Sequence, residues 1–79
     1  MRVEVVAFAT LRRHWPEVGL GESRLVEVTP GTTLEALRDL VGLPAEEVRV
    51  VVRNHVHADL NDEVCDGDRV AFIPAVAGG

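Results

Sequence analysis

Only one stretch of this chain carries a helical period, and it spans little more than two turns. Leu34, Leu37, Leu40 and Val41 recur at three- and four-residue steps on one helical face, with Glu35, Arg38 and Asp39 facing out. The segment Thr32-Thr33-Leu34-Glu35 has the spacing of a capping box. Its Thr32 hydroxyl and Glu35 carboxylate are expected to satisfy free amides of the first turn, and Gly42 is expected to close the helix. Every other apolar run is five to seven residues long and rich in valine. The remaining hydrophobic surface must therefore be buried by strands packed on this single helix.

Those strands can be placed. Arg2–Phe8 alternates Val3, Val5 and Ala7 on one face, and Val6 and Phe8 are apolar on the other, which predicts a central strand. Ala9–Trp15 has room for two helical turns before Pro16, since the residue preceding proline avoids helical angles. A loop at Val18-Gly19-Leu20-Gly21 follows, then a second strand over Arg24–Val28 and a turn at Pro30-Gly31. Val48–Arg53 reads as a third strand, leading to a turn at Asn54-His55, where asparagine tolerates left-handed angles. Asp66-Gly67-Asp68 is a tight turn into a last strand, Arg69–Ile73, which Pro74 ends because proline cannot donate to a ladder. The order implies an α+β roll of the ubiquitin type, a mixed four- to five-stranded sheet packed on one main helix. Residues 1–74 form the expected domain, and residues 75–79 form a flexible tail ending in Gly-Gly. No internal repeat or linker is visible.

A chain of 79 residues makes one small domain, which buries only roughly 60% of its unfolded surface. With 47% hydrophobic residues and no polar low-complexity tract it is expected to fold unaided. Its apolar runs fall well short of the roughly 20 residues needed to cross a bilayer. No charged start precedes a signal-like core, so the expected compartment is the cytoplasm. The single cysteine, Cys65, has no partner for a disulfide or a metal knuckle and is expected to be a half-buried small side chain. Thirteen acidic residues against eight basic give a net charge of −5, which disfavours nucleic acid and anionic membranes as partners. A basic protein surface is the expected partner. All eight cations are arginine, so the chain offers no lysine ε-amine and cannot build lysine-linked chains of itself.

Enzymatic signals are sparse. His55 and His57 share a strand face, but neither they nor His14 has a carboxylate or cysteine at ligand spacing, so no metal site is expected. Asp66 and Asp68 are explained by their turn. No phosphate loop, dinucleotide glycine pattern or nucleophile with a base is present. The tail Val76-Ala77-Gly78-Gly79 is different, because a terminal glycine pair contributes nothing to a core. Glycine lacks a Cβ, so walls can approach it from both sides. Residues 75–79 can extend by about 17 Å in all, which suits threading, carboxylate first, into another protein. That carboxylate is ionised and a poor electrophile until activated, for instance as a mixed anhydride with adenylate, which a sulfur nucleophile could then attack.

Several blocks resemble the sulfur-carrier family of ubiquitin-like fold and, within it, the small subunits of molybdopterin synthase. These are Ala7-Phe8-Ala9-x-Leu11-Arg12, Thr33-Leu34-x-x-Leu37, Asn54 after a valine strand, and Asp66-Gly67-Asp68-Arg69-Val70-Ala71-Phe72-Ile73-Pro74 with the closing Gly78-Gly79. The resemblance spans nearly the whole chain and implies a β-grasp fold. It implies that Gly79 is adenylated by a ubiquitin-activating-like adenylyltransferase using ATP, with no cofactor bound to the chain itself, and converted to a thiocarboxylate. The large synthase subunit would hold the catalytic groups, receive Val76, Ala77 and Gly78 as a threaded tail, and pair with the carrier as a heterotetramer. There the thiocarboxylate would donate sulfur to a cyclic pyranopterin precursor in molybdenum cofactor biosynthesis. Phe8, Arg12, His57, Ile73 and Pro74 fall where the family meets its partners. The chain departs from the family at Ala75, where a second proline is common, and at His57, where an apolar residue is usual. Alternative readings are a carrier for thiazole or transfer-RNA thiolation, a ubiquitin-like protein modifier, or a binding module with an inert tail. Thiazole carriers are usually shorter and lack the Phe-Ala-x-Leu-Arg segment, which favours the pterin reading.

Overall fold

Both edges of the first strand are paired, as apolar residues on both its faces predict. In the computed structural model, which describes residues 1–18 and 23–75, β1 (Arg2–Ala7) lies antiparallel to β2 (Arg24–Glu27). Its other edge runs parallel to β5 (Arg69–Pro74). β3 (Val48–Arg53) is antiparallel both to β5 and to β4 (Val56–Ala58), so the mixed sheet has five strands in the order β2-β1-β5-β3-β4. One helix, α1 (Leu34–Leu40), and two 3-10 helices, Ala9–His14 and Ala45–Glu47, complete the roll. The expected loop at Gly19-Leu20-Gly21 and the tail residues Val76, Ala77, Gly78 and Gly79 lie outside the described residues.

The core lies on one sheet face. Val3, Val5, Val70 and Phe72 are fully buried there against Leu34 and Leu37 of α1, with Leu11 and Trp15 closing one end. Burying a side chain such as Phe72 is worth roughly 1.5–3 kcal/mol, so the two central strands carry much of the stability. Trp15 is also anchored by its indole N–H, which donates to Val41 O (3.0 Å), and Arg24 covers its ring at 5.0 Å. That single bond ties the first 3-10 helix to the end of α1.

The helix differs from its sequence reading in three ways. Its N-cap is Thr33, whose hydroxyl accepts from Ala36 N (3.1 Å), while the Thr32 hydroxyl instead donates to Thr29 O (2.8 Å). Carbonyls of the following loop take over the role assigned to Glu35: Leu34 N–H donates to Asp62 O and Glu35 N–H to Leu60 O. The face is also rotated. At about 100° per residue, Leu34, Leu37 and Val41 define a stripe from which Leu40 diverges more than Arg38 does. Accordingly Leu40 is 60% exposed and Arg38 is buried. Arg38 keeps its charge satisfied through Asp39, 2.9 Å away. Gly42 follows the helix with φ +81°, as a closing glycine should.

The Asp66-Gly67-Asp68 turn is a junction between strands. Asp66 Oδ1 accepts from Arg2 N (2.8 Å), and Gly67 N–H donates to Arg2 O (2.8 Å), which fixes the start of β1. Asp68 is buried and accepts from Cys65 N (2.7 Å) and Asn54 Nδ2 (2.9 Å). Asn54 Oδ1 in turn accepts from Arg69 N (2.9 Å), joining the β3–β4 turn to the start of β5. Cys65, expected to be half-buried, is exposed, because the turn points its side chain away from the core while its amide faces Asp68. β2 ends at Glu27, one residue short of the expected strand, and β5 includes Pro74, which pairs with Val48.

Candidate functional site

Among the described residues no helix or strand lies over the face opposite α1, although Val6 and Ala71 on that face are themselves buried. Pairing registers align Val6, Ala71, Val52 and His57 in one row across β1, β5, β3 and β4, and Val50 stands opposite Ile73 in the next row. Phe8 continues β1 beyond its last residue, its N–H donating to Phe72 O (3.1 Å), and its ring is 43% exposed. Phe8, Val52, His55, Arg69, Ala71 and Ile73 line a shallow depression of about 140 Å³. Its rim carries Arg69, which meets Glu4 at 3.4 Å, and Glu4 accepts from the Ser23 hydroxyl at 2.6 Å. Apolar floor and charged rim make a surface suited to contact with another macromolecule.

The residues expected at a partner surface are dispersed over this region. Phe8 and Ile73 share the depression. His57 is exposed on β4, on the same face but two strands away from Ile73. Arg12 lies around the end of the sheet in a separate groove with Thr10, Arg13, Pro16 and Val18, and makes no ion pair among the described residues. Pro74 is buried, and Ala75 beyond it is exposed. Because β1 and β5 are parallel, Phe8, the first 3-10 helix and Pro74 all lie at the same end of the sheet.

That end is fastened by charge. Arg13 Nη2 lies 2.6 Å and His14 Nε2 3.1 Å from Glu47 Oε1, so the first 3-10 helix is tied to the residue preceding β3. The hydrogen bond from His14, helped by the Arg13 charge and opposed by partial burial, holds the Glu47 carboxyl below its ordinary value of 4.5. Among the described residues no three His, Cys, Asp or Glu side chains come together as a metal group. No helix among the described residues is long and apolar enough to cross a membrane.

Val52, His55, Arg69 and Ala71 belong to the depression but were not among the expected partner residues. The sequence shows only part of this: residues 70–73 are apolar on both alternations, so one apolar set must lie off the helix, but in Val48–Val52 the alternation that carries Arg49 is the one that buries Val51 in the core.

A protein-family model described as the ThiS family matches residues 5–79. No curated protein sequence matches the chain significantly. Among solved structures, SAMP1 from Haloferax volcanii is 27% identical, with 100% of each chain covered and a TM-score of 0.71. A putative molybdopterin converting factor subunit 1 from Pyrococcus furiosus is 20% identical over 96% of this chain and 99% of its own, with a TM-score of 0.73. A complex of subunits 1 and 2 of molybdopterin-converting factor from Helicobacter pylori includes a chain 23% identical, with 100% of each covered and a TM-score of 0.64. The fold is thus the ubiquitin-like β-grasp anticipated from the order of elements.

Proposed function

The chain belongs to the ThiS family, and from that premise we propose that it is a sulfur carrier, the small subunit of a molybdopterin synthase. The observation that carries this reading is the extent of the family match, which continues through Gly78-Gly79. In this reading the Gly79 carboxylate attacks the α-phosphorus of ATP on an activating partner, releasing pyrophosphate and leaving an acyl-adenylate. Hydrosulfide adds to the acyl carbon and AMP leaves, which yields the thiocarboxylate. The open sheet face docks first on the activating partner and then on the large synthase subunit, while the residues after Pro74 enter each active site in turn. The thiocarboxylate sulfur then displaces an oxygen substituent from a carbon of the pterin precursor, and water cleaves the resulting acyl–sulfur bond, leaving sulfur on the product and restoring the carboxylate. Holding the tail in a pocket makes this transfer effectively unimolecular. Support for a large-subunit partner comes from the Helicobacter pylori relative, whose structure is a complex of subunits 1 and 2.

The test is intact-mass measurement of the chain after incubation with a ubiquitin-activating-like adenylyltransferase, ATP and a sulfur source. A gain equal to the exchange of one oxygen for sulfur is expected, and its absence with an active partner refutes the carrier reading. Mixing the product with a large synthase subunit and pterin precursor should then give a dithiolene. One residue appended after Gly79 should abolish the mass gain without unfolding the domain. SAMP1, at 27% identity over both whole chains, and a Haloferax volcanii structure described as small archaeal modifier protein 1 favour a second reading as a protein modifier. Under that reading the activated chain would appear on lysines of other proteins, and no dithiolene would form.

A further inference from the structure

Among the described residues, three other than glycine hold left-handed backbone angles: Ala9 (φ 51°), Asn54 (φ 52°) and His55 (φ 71°). Asn54 and His55 form the β3–β4 turn, where asparagine is well tolerated and its side chain is bonded to Asp68 and Arg69. Ala9 has no polar side chain to compensate, whereas Gly31, Gly42 and Gly67 serve at other left-handed positions. Strain of this kind persists where the surrounding structure imposes it, and it concentrates at functional positions.

We propose that Ala9 is a positioning residue that presets the Phe8 ring for docking of the open sheet face on the activating adenylyltransferase. The proposal rests on the docking reading above. Phe8 and Leu11, three residues apart, face opposite environments: Phe8 is half-exposed over the depression, and Leu11 is fully buried in the core. The chain must therefore pass around the end of the sheet within one turn. Both backbone groups of Phe8 are held across that passage, its N–H on Phe72 O (3.1 Å) and its C=O accepting from Leu11 N–H (3.0 Å). A left-handed residue at Ala9 makes the passage possible. Glycine would make it with less strain, but over a wider range of angles. The Ala9 methyl narrows that range and so fixes where the Phe8 ring stands relative to Ile73 before any partner arrives.

The test compares the full chain with Ala9→Gly and with a synthetic chain carrying Ala9→D-Ala, whose Cβ favours positive φ. The readout is adenylation by a ubiquitin-activating-like adenylyltransferase with ATP. Ala9→Gly is expected to raise KM for the carrier roughly two- to fivefold with kcat unchanged, the scale of freedom that glycine adds. Its urea midpoint should stay the same or rise, and Ala9→D-Ala should restore KM. Amide order parameters of Phe8 to Thr10 should fall in Ala9→Gly only. Native KM together with native order in Ala9→Gly overturns the proposal. Should the unmodified chain fail to be adenylated, the carrier reading falls. The order parameters then decide positioning on their own: unchanged order rejects it and lowered order retains it.

Discussion

Asp68 shows what one buried side chain does in so small a core. Its two oxygens answer Cys65 N and Asn54 Nδ2, so the charge is bonded on both sides where it is shielded from water. Asp68→Ala should cost about 2 kcal/mol, because both donors lose their acceptor. Asp68→Asn should cost less, since one oxygen still accepts. Urea denaturation of the two variants checks the order, and equal losses would mean that the carboxylate bonds are not what matters. Phe72 makes the contrasting case of pure packing: it is fully buried, and Phe72→Ala should cost roughly 3–5 kcal/mol, which the same measurement reads as a large fall in midpoint.

Among the elements, α1 gives the sharpest test of which residues start it. Thr33→Ala should cost about 1 kcal/mol because it removes the acceptor for Ala36 N, whereas Thr32→Ala should cost clearly less. Chemical denaturation of both variants settles which threonine caps the helix. The tie between the two 3-10 helices predicts a pH dependence. Glu47 is held below its ordinary value of 4.5, so the folded state favours its charged form. Stability from this group is complete above that value and disappears as pH falls through the lower folded value. The melting difference between the native chain and Glu47→Gln should therefore be present at neutral pH and close in acid, and a difference independent of pH would contradict the assignment. Valine-rich alternation made the strands legible, including the central place of β1, because β-branched residues on both faces have few other uses. The helix was less legible. Its cap and rotation depend on carbonyls of Leu60 and Asp62, which approach from a loop almost thirty residues further along and leave no local signature. Of the open face, Phe8 and Ile73 were reached through family resemblance. Val52 and Ala71 required knowing which alternation the helix covers, and no spacing in the chain says so.

For the molecule as a whole, what matters is that its central pairing joins the two ends of the chain. β1 and β5 lie side by side in the middle of the sheet, and β2 and β4 form its edges. Amides of Val70 to Phe72 should therefore exchange hydrogen only through global unfolding, while those of Val56 to Ala58 exchange by local opening. Exchange followed by NMR would show this as two separated rate classes, and uniform protection would argue against the edge assignment. The same arrangement governs how the protein is made. A ribosome delivers β1 first and β5 last, so the middle of the sheet stays empty until residue 74 has left the tunnel. A nascent chain can present neither a finished core nor the Phe8–Ile73 depression, and a product cut short before β5 presents exposed valines to proteases instead. The depression between Phe8 and Ile73 therefore exists only on chains translated through β5.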